Sequence, residues 1–338
     1  MAESHVVHLA CHCQAHVLRL TLPSEPEPFT NNGVCDCSHC IKRKVVWGSA
    51  PPGSRFEIIR GVGKDGVELQ EYRFGSKSFA HHFCATCGTL MPGGSFDSDK
   101  ETMYNMRAIR DPHFDLWQHP LTLYSGAERT PPYSHPSLSD LPGAEDYLAT
   151  RKTSERTEVL VGACHCQAIK FAVLSTPLTE TRANDCACSI CLGVSGALAV
   201  APWLSANARQ NGATWIYPAR QDTFWSPSLP ASPWKPLDSL VTEYTFGEGL
   251  NKHYFCKHCG CALYEFRAGS ATDECEGSLG LNIALLNDID EHLDDLHALG
   301  WKACDRMADY DFKHRTKLNG LKRSVDDREL PPLYELKV

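Results

Sequence analysis

The chain lacks any run approaching the roughly 18 consecutive apolar residues that a membrane-spanning helix needs. No membrane role is expected. Residues Met1 to Gln14 contain no basic stretch followed by an apolar one, so no secretory leader is read there and a cytoplasmic location is expected. A basic surplus is missing too. The 338 residues carry 33 basic and 41 acidic side chains, a formal net charge of −8. Residues 1–150 hold 13 basic against 17 acidic, and the rest 20 against 24. Neither half offers the cationic excess that a phosphate backbone selects, so nucleic acid is not expected as a partner. Motifs for nucleotides, a G-x-S-x-G elbow and an H-E-x-x-H helix are also missing.

What the chain has is cysteine, 17 in all. In a reducing compartment such a count points to metal or catalysis rather than to disulfides. An odd number also forbids complete internal pairing. Disulfides stay open as the weaker alternative.

The length alone predicts two domains, and an internal repeat sharpens that. Ala10-Cys11-His12-Cys13-Gln14-Ala15 returns as Ala163-Cys164-His165-Cys166-Gln167-Ala168. Cys35-Asp36-Cys37-Ser38-His39-Cys40 returns as Cys186-Ala187-Cys188-Ser189-Ile190-Cys191. His81-His82-Phe83-Cys84-Ala85-Thr86-Cys87-Gly88 returns as His253-Tyr254-Phe255-Cys256-Lys257-His258-Cys259-Gly260. Three motifs in one order mean a duplicated domain. The division reads as a first zinc domain over 1–127, a linker over 128–156, a second zinc domain over 157–323 and a tail over 324–338.

Alternating apolar residues predict a mainly β chain, with strands within His5–Leu22, Phe56–Arg60, Glu68–Phe74, Thr102–Ile109, Val159–Leu174, Ser239–Phe246 and Ser278–Leu286. Asp288–Leu299 is the best helix candidate, and a short helix is expected within Asp140–Lys152. Between the second and third motifs the first copy has 43 residues and the second 64. The extra length is placed over 203–236, where Trp215, Tyr217, Phe224, Trp225 and Trp234 read as a packed flap or lid.

Zinc takes four ligands in a tetrahedron at structural sites, and keeps three protein ligands with one open position at catalytic ones. Each copy has a C-x-C, a C-x-C-x-x-C and a C-x-x-C-G knuckle. Pairing the knuckle with the C-x-C gives closed sites of Cys11, Cys13, Cys84, Cys87 and of Cys164, Cys166, Cys256, Cys259. The trios Cys35, Cys37, Cys40 and Cys186, Cys188, Cys191 are left as open sites, up to four zinc ions per chain. Completion of each trio by a histidine remains an alternative, but His39 faces Ile190 in the repeat. His12 and His165, each between two ligands, are expected to point away from the metal. Cys261, Cys275 and Cys304 are read as ordinary thiols.

Together these motifs resemble the glutathione-dependent formaldehyde-activating enzyme family, which includes centromere protein V. The resemblance covers roughly residues 5 to 125 and 158 to 300. It implies two tandem β-tent zinc-binding domains with a few short helices, one structural zinc per copy and a second zinc on each trio. It also implies a carbon–sulfur lyase chemistry that joins glutathione to formaldehyde, with glutathione as co-substrate. Lys42, Arg43 and Lys44 follow the first trio, where the second copy has Leu192-Gly193-Val194. That run reads either as cationic groups suited to an anionic thiol or as a solvated surface. No general base is named: Asp36 is Ala187 in the repeat, and His81 and His253 suit packing better than proton transfer.

The expected function is thus a zinc-dependent, carbon–sulfur lyase-like enzyme acting on a small-molecule thiol–carbonyl adduct. The alternatives are a zinc-dependent dehydratase, isomerase or cyclase for a larger organic substrate, and a non-catalytic zinc scaffold. Oligomeric state has no signature in the sequence.

Overall fold

A computed structural model describes residues 5–23, 29–61, 68–94, 102–110, 122–127, 131–177, 181, 183–186, 190–191, 213–229, 232–246, 251–267, 279–287 and 289. The fold is mainly β and is built twice. The first copy contributes β1 (His5–Ala10), β2 (Val17–Leu22), β3 (Thr30–Cys35), α1 (Ser38–Arg43), β4 (Trp47–Ser49), β5 (Arg55–Arg60), β6 (Gln70–Tyr72), β7 (His81–Phe83), β8 (Leu90–Gly94), β9 (Thr102–Asn105) and β10 (Thr122–Tyr124). After α2 (Ala144–Ala149) the second contributes β11 (Glu158–Ala163), β12 (Lys170–Ser175), β13 (Ala183–Cys186), β14 (Ala213–Ile216), β15 (Thr223–Ser226), β16 (Ser228–Leu229), β17 (Ser232–Pro236), β18 (Val241–Thr245), β19 (Asn251–Cys256), β20 (Ala262–Arg267) and β21 (Gly280–Asn282).

The sheets repeat strand for strand. A small sheet β1-β2-β5 in copy one matches β11-β12-β15 in copy two. A large sheet β10-β3-β4-β9-β8-β7-β6 matches β13-β14-β21-β20-β19-β18, with β10 the added edge in copy one. The small sheet arises from hairpins whose inward residues alternate, as Val7 and Leu9 do on β1 and Leu18 and Leu20 on β2. Each hairpin turns through the C-x-C-Q motif, with Gln14 and Gln167 in the left-handed region at φ 59 and 58°. Their N–H groups close onto Cys11 O and Cys164 O, so two sulfurs leave one tight turn.

Three expectations are corrected by the register. The strand read over Thr102–Ile109 stops at Asn105, and the one over Ser278–Leu286 stops at Asn282. Each asparagine side chain instead accepts a backbone N–H two residues on and opens a 3₁₀ turn. The aromatic stretch over 203–236 is no lid over its described length. Trp215 pairs with Asn282 as Trp47 pairs with Asn105, and Trp225 lies on β15 against β12. Both indoles are core residues, 1% and 0% exposed. Cys40 precedes Trp47 by 7 positions and Cys191 precedes Trp215 by 24, so most of the added length lies before Ala213. The short helix expected after Asp140 is α2, whose Ala144 and Leu148 pack with Leu141 on Ala172 and Leu174. The helix candidate 288–299 (apart from buried Ile289) and the tail 324–338 lie outside the described residues.

The copies meet through reciprocal contacts. A Cβ on knuckle residue Gly88 would touch the Phe255 ring at 3.0 Å, and one on Gly260 would touch Phe83 at 2.8 Å. His12 Nδ1 lies 2.7 Å from Tyr244 Oη, and His165 Nδ1 lies 2.7 Å from Tyr72 Oη. Position i of one copy meets j of the other, and j meets i, which is the pattern of a two-fold interface made within one chain. Phe255 accordingly belongs to the same buried cluster as Phe83, Trp47 and Leu90.

Gly88 and Gly260 adopt φ of 72 and 68°, where only glycine sits without strain, and both lack room for a methyl group. Gly88→Ala is expected to lower stability by about 1–3 kcal/mol through backbone strain and overpacking of Phe255. Denaturant unfolding of the full chain checks this.

Candidate metal centres and the cavity between the copies

In copy one the C-x-C turn faces the knuckle, and the ligand atoms of Cys11, Cys13, Cys84 and Cys87 lie within 4.8 Å of one another. Cys13 Sγ is 3.6 Å from both Cys11 Sγ and Cys84 Sγ. In copy two Cys164, Cys166, Cys256 and Cys259 form the same group, with Cys166 Sγ 3.5 Å from Cys164 Sγ and 3.6 Å from Cys256 Sγ. No disulfide joins the thirteen cysteines whose side chains are described. Sulfurs about 2.3 Å from a tetrahedral zinc lie about 3.8 Å apart, so both groups fit such an ion with little adjustment. The knuckles prepare this locally: Gly88 N–H donates to Cys84 O and Gly260 N–H to Cys256 O, curling the chain around the sulfurs. Burial pushes the Cys11 and Cys164 thiols well up. A dication is what converts such buried thiols to thiolates.

The trio Cys35, Cys37 and Cys40 also has its sulfurs within 4.8 Å of one another, without a fourth ligand in the group among the described residues. It straddles the end of β3 and the first turn of α1, where Cys37 Sγ caps the helix by accepting from Cys40 N–H. The adjacent Cys35 sulfur, then burial, pushes the Cys37 thiol up to about 11. Of the second trio, Cys191 is buried and described, Cys188 lies outside the described residues, and Cys186 is placed by its backbone on β13. Cys275 and Cys304 are also outside. Cys261 is a buried thiol beside the second four-sulfur group.

The first trio opens onto a cavity of about 1090 Å³ between the copies. Copy one lines it with Tyr72, Phe74 and His81, the connection with Tyr133, and copy two with His165 and Leu286. His165 is the middle residue of the second C-x-C. It does point away from its own sulfurs, as expected, and reaches the other copy, with Nε2 2.9 Å from Ser38 Oγ and its ring stacked on Tyr133 at 4.8 Å. Burial lowers His81 to about 3 and His165 to about 4, so both rings are neutral near pH 7. His39 is buried behind them, 4.1 Å from the His81 ring, and is not in the sulfur group.

These contacts also place the residues around the trio. Asp36 Oδ1 accepts the backbone N–H groups of Gly126 and Ala127, fixing the segment after β10 against the trio. Lys42, Arg43 and Lys44 are not a solvated run, being 2, 1 and 3% exposed, and Lys42 also borders the cavity at the first trio. Lys42 Nζ donates to Leu285 O and Lys44 Nζ to Thr214 Oγ1, both in copy two. Arg43 Nη2 donates to Gly88 O, and its charge lies near sulfurs of both four-cysteine groups, Cys87 and Cys259 among them. Sequence reasoning also passed over a fourth repeated motif, Glu71-Tyr72-Arg73-Phe74-Gly75 and Glu243-Tyr244-Thr245-Phe246-Gly247, whose aromatic residues receive the crossing histidines.

No family model matches the chain, and no curated protein does. Among solved structures, the crystal structure of a Rhodobacter sphaeroides protein is similar, at 25% identity and a TM-score of 0.27, covering 34% of this chain and 99% of that one. A TM-score that low transfers nothing to this chain. Among the described residues, no helix is long and apolar enough to cross a membrane. Cysteine groups able to hold metal ions on a mainly β fold are what the geometry establishes.

A Cβ on Gly126 would lie 2.3 Å from Cys35 Sγ. Gly126→Ala is therefore expected to displace Cys35 and cost the chain one bound metal, leaving the four-sulfur groups filled; atomic emission on the purified protein reads the ratio. Arg43→Met removes a buried cation beside the sulfurs and is expected to cost about 3–5 kcal/mol. Chemical denaturation of the metal-loaded protein measures it.

Proposed function

We propose that the protein is a zinc-dependent, carbon–sulfur lyase-like enzyme that joins or cleaves a thiol–carbonyl adduct at Cys35, Cys37 and Cys40. The observation that carries this reading is the contrast between the sulfur groups of copy one. None of the four-sulfur group borders the cavity, and three of its four cysteines are buried, whereas Cys35, Cys37 and Cys40 all line a cavity large enough for an organic substrate. Zinc on three thiolates would supply an exchangeable position where a thiol loses its proton near neutral pH.

The protein's own residues supply the rest of the site. Asp36 and Gly126 hold the trio's entry in shape. Tyr72, Phe74 and Tyr133 give the cavity apolar walls, and the neutral His81 and His165 add polar edges without charge. In the addition direction the thiol sulfur bonds to the carbonyl carbon, the C=O π bond opens, and the thiol proton ends on the new hydroxyl. Cleavage is the reverse, with no redox change.

The aromatic walls also favour a second reading, a zinc-dependent dehydration, isomerisation or ring closure on a bulkier molecule. Of the cationic run expected to attract glutathione carboxylates, only Lys42 borders the cavity, whereas Arg43 and Lys44 are buried away from it.

Incubation of the zinc-loaded protein with formaldehyde and glutathione, read by NMR for the S-hydroxymethyl adduct, tests the first reading. Adduct formed faster than in its absence, and lost in Cys37→Ser with an unchanged unfolding midpoint, is the expected result. An uncatalysed rate leaves the second reading. Global unfolding of Cys37→Ser would make the trio structural and overturn both.

A further inference from the structure

The second copy carries a juxtaposition that the first does not. On β19 and β20, His253 and Glu265 are direct cross-strand partners. The matching pair on β7 and β8 is His81 and Gly93, where Phe79 occupies the space a side chain would need. Copy two has therefore placed a carboxylate beside the histidine that precedes its knuckle. Cys191, the last residue of the second trio motif, is buried next to them, and the ligand atoms of Cys191, His253 and Glu265 all lie within 4.8 Å of one another.

The spacing suits a metal better than a hydrogen bond. His253 Nδ1 and Glu265 Oε2 are 3.4 Å apart. That exceeds the about 2.7–3.2 Å of a good N–H···O bond. It equals the about 3.4 Å that separates nitrogen and oxygen ligands held roughly 2.1 Å from a tetrahedral ion. A second observation concerns the sulfur. In copy one Trp47 Nε1 donates to Cys40 Sγ at 3.4 Å. Its counterpart Trp215 is 1% exposed, and its indole N–H has no acceptor among the described residues. Cys191 stands where Cys40 does in the motif, yet its sulfur takes no bond from the indole and lies with the His–Glu pair instead. Trp215, Cys191 and His253 all border one void of about 10 Å³, against the cavity of about 1090 Å³ at the first trio.

We propose that Cys191, His253 and Glu265 form a metal site of mixed sulfur, nitrogen and oxygen donors in copy two, taking a borderline dication such as zinc. Copy two then differs from copy one in chemistry as well as in access. Its ion has one thiolate where the first trio has three, which leaves it more electron-poor. The void beside it admits no organic substrate among the described residues. One copy presents its metal to a cavity, and the other holds its metal beside Cys191 on the pair β19 and β20.

The test uses the full chain loaded with zinc and dialysed against a weak chelator. Glu265→Gln and His253→Gln are each expected to lose one zinc per chain, or to bind it at least tenfold more weakly. The Co²⁺-substituted protein should lose the thiolate charge-transfer intensity of one sulfur in Cys191→Ser. Both glutamine variants retaining all their zinc would overturn the site. So would Cys186→Ser plus Cys188→Ser removing that same zinc together with three sulfurs' worth of intensity. Should Glu265→Gln fail to fold, Glu265→Gly reproduces the residue copy one has at this register and is expected to show the same loss. Turnover at Cys37 in copy one reads the proposed lyase activity, so the two proposals fail separately.

Discussion

Burial of sulfur without loss of its charge is the constraint on which this fold depends. Each four-cysteine group joins a turn of the small sheet to a knuckle linking two inner strands of the large one, so filling it would tie the two sheets of a copy together. Four thiolates around one dication carry a net charge of −2. Leaving that charge in the core requires compensation, because an unpaired buried charge costs several kcal/mol. Arg43 supplies it from a position fully inside the protein, between knuckles of both copies and with its ring-facing side over Phe83. One guanidinium thus serves two clusters. This explains why a cationic run after the first trio need not be repeated after the second.

The same constraint explains why the copies are joined as they are. A knuckle glycine with no side chain lets the phenylalanine of the other copy approach the sulfurs and exclude water from them. Each copy's C-x-C histidine then projects into the aromatic pair of the other. In separate molecules these contacts would form at the concentration of the partner. Within one chain the connection through α2, anchored on β12, holds the halves at a high effective concentration. Tandem duplication here produces an intrachain dimer, and the cavity is a product of its interface.

Much of this was legible in the sequence wherever a local rule applied. The cysteine spacings brought the right sulfurs together because C-x-C and C-x-x-C-G turns fix their geometry within a few residues. The small-sheet hairpins were readable because Val7, Leu9, Leu18 and Leu20 alternate. Long-range partners were not. Nothing local to Lys42 or Lys44 says that Leu285 O or Thr214 waits across the interface, so a basic run read as surface. Trp215 and Trp225 read as a flap because the repeat was aligned by cysteines alone. The Trp–Asn pairing that equates Trp215 with Trp47 is visible only in the sheet. The E-Y-x-F-G repeat was available as a signal, and its pairing with His12 and His165 required the interface.

The two copies share their packing but differ in the residues around their trio motifs. The requirement for two folded copies is strict, since each completes the other's packing at Phe83, Phe255, His12 and His165. Nothing in that packing requires the surroundings of the two trio motifs to match. Copy one retains glycine at position 93, the cavity and the aromatic walls. Copy two sets Glu265 at the equivalent register beside His253. A pair of copies locked by reciprocal contacts within one chain can carry different residues around the two trio motifs, an asymmetry that a symmetric dimer of identical chains could not fix in its sequence.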